Sequence, residues 1–168
     1  MWSDHGWHLG EKQHWQKFTN WRAATRVPLI VRVPPGAPGL PDGTKAGGIC
    51  SRPVNLLSLF PTLTELCGLP NKPGSDGPSL MPLLKDPQAN WSHVSLTHGS
   101  KPGNFGLSTE RWRYLRYHNG DEELYDTSTD PFEWTNLANQ TEHAEKLEEL
   151  RSLAPKEFAP FPALEPTN

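Results

Sequence analysis

The sequence predicts an α/β chain: part of a mixed sheet with helices over residues 1–85, then a small α+β antiparallel subdomain over 92–154. Three observations carry that expectation. Val27-Pro28-Leu29-Ile30-Val31-Arg32-Val33 is short and β-branched, as in a buried strand. Leu56, Leu59, Leu63 and Leu66 recur at helical spacing. Val94–His98, Phe105–Leu107, Trp112–Tyr117 and Glu122–Tyr125 are strand-like runs divided by turn signals. With 168 residues the chain can bury one modest core. Its 18 Pro and 14 Gly indicate many loops.

In chain order, residues 1–17 form a strand end and a ligand-bearing loop, and 18–26 a polar-aromatic cover. The strand at 27–33 stops at Pro34 and Pro35, which donate no ladder hydrogen bond. Pro-Gly and Asp-Gly pairs fill residues 34–48 with turns. Ser51–Gly68 reads as helix, with Pro61 kinking or dividing it and Gly68 ending it. Leu80–Leu84 is a further helical turn, and Asn119-Gly120 is a hairpin signal between two strands of the sheet. Thr141 is expected to cap a last helix that buries Ala144, Leu147, Leu150 and Leu153. Residues 155–168 read as a mobile tail.

The net charge of -3, from 16 basic and 19 acidic residues, argues against nucleic acid as a partner. No apolar run approaches the roughly 18 residues of a membrane helix, so no membrane partner is expected. Cys50 and Cys67 allow one disulfide or two free thiols, and Cys67 in an apolar helical pattern suits a buried thiol. Most of the seven Trp are expected in the core or on its rim.

The stretch Ser3–Lys17 carries the chemistry. Asp4 supplies hard oxygens, His5 a nitrogen, and Gly6 a sharp backbone turn, a combination suited to a divalent cation. An Asp-His pair alone is a common dipeptide; its neighbours make it specific. Asp4-His5-Gly6-Trp7, Leu9-Gly10-Glu11, Trp15-x-Lys17 and Thr25-Arg26-Val27-Pro28-Leu29-Ile30 resemble the type I sulfatases of the alkaline phosphatase superfamily. The nearest likeness is to the iduronate-2-sulfatases and their bacterial relatives. It continues at Leu59-Phe60-Pro61-Thr62-Leu63, Gly77-Pro78-Ser79-Leu80, Arg113–Tyr117 and Glu123–Asp126, and through Asp130-Pro131-x-Glu133-Trp134-x-Asn136-Leu137-Ala138.

The resemblance implies the C-terminal part of an alkaline-phosphatase-like fold, and a hydrolase of sulfuric esters on sulfated saccharides such as glycosaminoglycans. It implies that Asp4 and His5 bind calcium and that Lys17 contacts the substrate sulfate. Trp7 and Trp15 are each either a flank for a sugar ring or packed beneath the loop. Lys12 has no counterpart and reads as a solvated loop lysine. His8 and His14 are each either a proton donor or a merely polar loop residue.

The family's nucleophile is a formylglycine made from Cys in a Cys-x-Pro/Ala-x-Arg context. Neither Cys50-Ser51-Arg52-Pro53-Val54 nor Cys67-Gly68-Leu69-Pro70-Asn71 fits it. The chain is therefore read as a C-terminal fragment, inactive alone, whose missing N-terminal sulfatase segment supplies the formylglycine and further calcium ligands. The family implies an exported protein, although no signal peptide precedes Asp4. A phosphoryl hydrolase of the same superfamily and a non-catalytic relic or binding module are the alternatives.

Overall fold

The computed structural model describes residues 1–160. The chain packs as two compact units, Met1–Asp4 with Pro28–Ser95, and His5–Val27 with Leu96 onward. This differs from the sequence-based division at residues 85–92: residues 5–27 join the second unit, not the first.

In the first unit the expected strand at 27–33 shrinks to one antiparallel bridge between Trp2 and Leu29. The terminal ammonium donates to the Ile30 carbonyl at 2.7 Å, and Ile30 N–H donates back to the Met1 carbonyl at 2.8 Å. Ile30 and Val31 are exposed, so this segment is not the buried strand expected. A β-branched run has strand propensity, but a ladder needs a partner backbone, and among the described residues only Trp2 pairs with it.

The expected Ser51–Gly68 helix starts five residues later, as a 3-10 turn over Leu56–Ser58 running into α2, Leu59–Leu66. Asn55 caps it by accepting from Leu57 N–H at 3.0 Å. Pro61 falls in the first turn of α2, where its missing N–H costs nothing, so the division comes at the 3-10/α junction. Gly68 takes φ +64, with Gly68 N–H bonding Glu65 O at 2.9 Å and Leu69 N–H bonding Thr64 O at 3.0 Å. That pair of bonds is a Schellman stop, as the glycine predicts. The buried face is not the leucine row. Ser58, Thr62 and Leu66 are buried, while Leu63 is half exposed. Thr62 explains this: its hydroxyl donates to Ser58 O at 2.5 Å and accepts from Leu80 N–H at 2.8 Å, tying α2 to the start of α3, Met81–Lys85.

The second unit is built on a four-stranded sheet in the order β3-β4-β5-β6, formed by Ser95–His98, Phe105–Ser108, Trp112–Arg116 and Glu122–Asp126. Register sets Leu107 opposite Tyr114, and Tyr114 opposite Leu124. Side chains alternate, so Phe105, Leu107, Tyr114 and Leu124 share one face; all four are fully buried. That face carries α4, Ala144–Ser152: His143 meets the Trp112 ring at 5.6 Å, and Arg151 bonds Glu122. Leu147 and Leu150 of α4 are buried, but Ala144 and Leu153 are exposed. Thr141 opens a 3-10 turn and does not cap α4.

The other face, with Gly106, Ser108, Arg113, Leu115, Glu123 and Tyr125, is covered by residues 5–27. Arg113 is the centre of that contact. Its Nε donates to Glu133 Oε1 at 2.9 Å, and its terminal nitrogens donate to Ser108 Oγ and to the Asn20 carbonyl. Glu133 Oε2 in turn accepts from Arg22 N–H at 2.7 Å, at the start of α1, Arg22–Thr25. Gly106 lets Asn20 approach; a Cβ there would stand 3.1 Å from the Asn20 backbone.

Cys50 and Cys67 are both free and exposed, so Cys67 is not the buried thiol expected. None of the seven Trp is buried. Part of the expected tail is packed: the Phe158 ring stacks on Phe105 at 6.0 Å. The remainder of that tail, residues 161–168, lies outside the described residues.

Candidate functional site

The segment expected to hold the site is a small hairpin. Its strands are β1, His8–Leu9, and β2, Trp15–Gln16, paired antiparallel with His8 opposite Gln16. Gly6 N–H donates to Ala24 O at 2.8 Å, seating the hairpin's entry on α1. No side chain fits at Gly6, where a Cβ would lie 2.0 Å from the Ala23 carbonyl oxygen.

His5 and Lys17, twelve residues apart, meet here with Lys17 Nζ 3.0 Å from His5 Nε2. The other ring nitrogen settles the tautomer. His5 Nδ1 lies 2.8 Å from the Gly6 carbonyl, which can only accept, so Nδ1 carries the proton. Nε2 therefore presents its lone pair, and the Lys17 ammonium donates to it. An imidazole held through Nδ1–H by a backbone carbonyl is the usual arrangement of a metal-ligating histidine. Trp7 is half exposed, with its ring 6.2 Å from the His5 ring. Asp4 precedes His5 directly and is exposed. Among the described residues no three His, Cys, Asp or Glu side chains gather closely enough to hold a metal ion. The chemistry offered by these two sequence neighbours, a carboxylate and an oriented imidazole nitrogen, suits a divalent cation and is short of the six to eight oxygen ligands calcium takes.

The loop presenting Lys17 is strained. Gln16 and Phe18, on either side of it, have φ +77 and +63, and Lys12 and Gln13 are also left-handed. Each such non-glycine residue costs on the order of 1–3 kcal/mol and persists only where its surroundings hold it. Three side chains do the holding. His14 Nε2–H donates to the Lys17 carbonyl at 2.9 Å, and His8 Nε2 bonds Thr19 Oγ1 at 2.9 Å. Lys12 Nζ donates to Tyr125 OH at 2.8 Å and to Glu133 O at 2.5 Å, over the Trp21 ring at 4.4 Å.

Lys12 is therefore a half-buried anchor and not the solvated lysine expected; desolvation lowers its pKa from the ordinary lysine value. His8 is 1% exposed, and burial, with His14 beside it, pushes its pKa down. Both histidines are bonded within the loop, His8 to Thr19 and His14 to the Lys17 carbonyl. The residues that sequence reasoning missed are Arg113 and Glu133, buried polar groups that hold residues 20–22. The available signal was the Asp130–Ala138 motif, which contains Glu133 and is distant from Lys17 in sequence.

A protein-family model described as N-sulphoglucosamine sulphohydrolase, C-terminal, matches residues 10–156. The chain belongs to this sulfatase family. It is 36% identical over 163 residues to a sulfatase of Formosa agariphila, covering 97% of this chain and 30% of that protein. It is 37% identical over 134 residues to iduronate 2-sulfatase of Mus musculus, covering 68% of this chain and 24% of that protein. The chain thus spans about a third or less of the curated relatives it matches. Among solved structures it superposes on that of BT4656 in complex with its substrate D-glucosamine-2-N,6-O-disulfate. The TM-score there is 0.77, with 27% identity over 90% of this chain and 32% of that one. It also superposes on the phosphonate monoester hydrolase of Agrobacterium radiobacter, with TM-score 0.68, 27% identity and coverage of 90% and 34%. Sulfatases are hydrolases, and the mixed α/β architecture with an antiparallel sheet is that of their C-terminal region.

Proposed function

We propose that this chain is the part of a sulfuric ester hydrolase that binds the substrate sulfate, in an enzyme similar to iduronate-2-sulfatase acting on sulfated saccharides of the glycosaminoglycan class. The observation that carries the reading is the Lys17 ammonium, held 3.0 Å from an oriented His5 nitrogen beside Trp7. Hydrolysis of a sulfate ester concentrates negative charge on the sulfate and leaving-group oxygens. An ammonium already fixed on a strained, anchored loop stabilises that charge without reorganising. Trp7 offers a flat apolar surface to a sugar ring.

Asp4 and His5 are the residues of this chain that would hold a calcium ion, which supplies positive charge for binding the sulfate. His5 Nε2, which faces Lys17 here, is the nitrogen that would ligate the ion, and the Lys17 ammonium would then be available to the substrate sulfate. The nucleophile is not provided by Cys50 or Cys67, whose flanking residues do not fit the family's formylglycine context. It comes, with the remaining calcium ligands, from sequence beyond this chain, in keeping with the 30% coverage of the Formosa sulfatase. The whole protein is an exported enzyme.

The likeness to a phosphonate monoester hydrolase favours one second reading, a phosphoryl or phosphonate ester hydrolase. Turnover of an aryl sulfate and an aryl phosphate by the whole gene product separates the two. Preference for sulfate supports the proposal and preference for phosphate replaces it. Absence of both activities in metal-loaded protein makes the chain part of a non-catalytic binding module.

A further inference from the structure

A second cationic site lies in the same unit, lined by none of Asp4, His5, Trp7 or Lys17. It is a cavity of about 590 Å³, a size that suits a small-molecule ligand. Arg116 ends β5, Arg151 is in the last turn of α4, and Lys156 follows α4; all three line the cavity, and among the described residues no Asp or Glu does. In a chain of net charge -3 this is a local reversal of sign.

The three cations are not equivalent. Arg151 is committed: its Nε donates to Glu122 Oε1 at 2.9 Å, a terminal nitrogen donates to the other Glu122 oxygen, and NH1 donates to Glu148 Oε2 at 3.1 Å. Glu122 also sits opposite Arg116 in register, but its oxygens are engaged by Arg151 and by the Tyr114 hydroxyl. Arg116 and Lys156 form no ion pair among the described residues, and both are exposed. Lys101 adds charge beside the cavity, with Nζ 3.4 Å from His118 Nε2. The wall bearing Lys156 is fixed by Phe158, stacked on Phe105 and 5.9 Å from the His98 ring. Phe158 itself lines the cavity and gives it an apolar surface beside the cations.

We propose that this cavity is a second anion subsite, which takes a sulfate or carboxylate group on a sugar ring of an acidic oligosaccharide other than the ring being hydrolysed. The assignment of the ligand as an oligosaccharide rests on the sulfatase reading; the charge and shape of the cavity do not. Two uncommitted cations meet the anionic group, and the Phe158 ring meets an apolar sugar face.

The test uses the whole gene product and two probes, a sulfated tetrasaccharide and a small aryl sulfate. Binding of the tetrasaccharide is measured by calorimetry, and turnover of both is measured in wild type, the Arg116→Ala/Lys156→Ala variant and the Lys156→Gln variant. The expected result is a roughly tenfold weaker tetrasaccharide Kd in the double variant, a smaller loss in Lys156→Gln, and unchanged aryl sulfate turnover. Lys156→Gln removes an exposed, unpartnered charge, so it remains informative if the double variant does not fold. Unchanged tetrasaccharide affinity in a folded variant overturns the proposal. So does displacement of the tetrasaccharide by inorganic sulfate at equal concentration, which marks a free-anion site. If wild type lacks sulfatase activity but the binding loss appears, the sulfatase reading fails and the subsite stands.

Discussion

Lys17 is the residue on which the proposed function rests, and it sits between Gln16 and Phe18, both in disfavoured left-handed conformations. Replacing Lys17 by Ala in the whole enzyme is expected to lower kcat/KM for a sulfate ester by about 10²–10³, the range for losing one preorganised charge-stabilising donor. Lys17→Arg is expected to recover little, because a planar guanidinium does not fit where a point charge meets one imidazole nitrogen. Steady-state kinetics on the two variants measures this, and an Ala variant within threefold of wild type removes Lys17 from the site. Arg113 is the matching residue for stability. Its side chain is 4% exposed and that of Glu133 is 1% exposed, so Arg113→Met leaves a buried carboxylate without its ion-pair partner, with only the charges of Lys12 and Arg22 near it. A loss of about 3–5 kcal/mol is expected, read from the urea midpoint. The Arg113→Met/Glu133→Gln pair is expected to cost less than the sum of its parts. At this scale the sequence was legible where a motif named a residue and silent where a role depended on partners. The motif names Asp4-His5 and Lys17 but says nothing of the contact between His5 and Lys17. Lys12, four residues from His8, carries no sign in the sequence that Tyr125 and Glu133 anchor it.

At the scale of elements the hairpin of residues 5–17 depends on its seat. Gly6→Ala forces a Cβ against the Ala23 carbonyl, which must move away with α1. A cost of about 1–3 kcal/mol is expected from overpacking, together with loss of activity because His5 and Trp7 flank the residue. Gly36→Ala is the control: φ is +78 but nothing lies within 4 Å, so only the conformational cost of about 1 kcal/mol applies and activity stays. Thermal melts and turnover on both variants test the pair, and equal losses would falsify the steric account. The strands of the sheet were legible because alternation and Asn119-Gly120 fix them locally; Gly120 does adopt φ +90 in the turn. What alternation could not convey is the covering of the sheet's second face. Arg113 and Glu123 occupy positions that ordinarily face water. They are covered instead by polar atoms of residues 20–22: Trp21 Nε1 donates to Glu123 Oε2 at 2.7 Å, and Asn20 and Arg22 meet Arg113 and Glu133. Segment 27–33 fails as a strand for the converse reason: local propensity is present, but its ladder partner is confined to Trp2.

Across the whole molecule the balance of charge makes stability depend on pH in two windows. The first belongs to carboxylates. Arg111 donates to both oxygens of Asp126, at 2.9 and 2.5 Å, and Ser128 adds a hydroxyl donor at 2.6 Å, which together hold the Asp126 carboxyl well below the ordinary aspartate range. Arg151, with the Tyr114 hydroxyl, likewise lowers Glu122. A carboxyl depressed in the folded state binds its proton less readily than in the unfolded chain. The unfolded state therefore takes up more protons as pH falls past about 4, and the stabilisation present above that pH is lost below it. The second window belongs to His8, lowered from 6.5 by burial and by His14. The unfolded chain protonates at 6.5 while the folded His8 stays neutral, so stability declines as pH falls from about 7 towards 5. Urea midpoints at pH 7, 5 and 3 are expected to fall in both steps. Asp126→Asn is expected to lose about 2 kcal/mol at pH 7, Arg111 being largely exposed; the gap to wild type narrows below about pH 4 but stays open at pH 3, because the folded carboxyl remains ionised there. His8→Gln is expected to flatten the step between pH 7 and 5 while leaving the lower one. A wild-type midpoint constant from pH 7 to 3 would remove the carboxylate argument, and a retained upper step in His8→Gln would assign that step to another histidine.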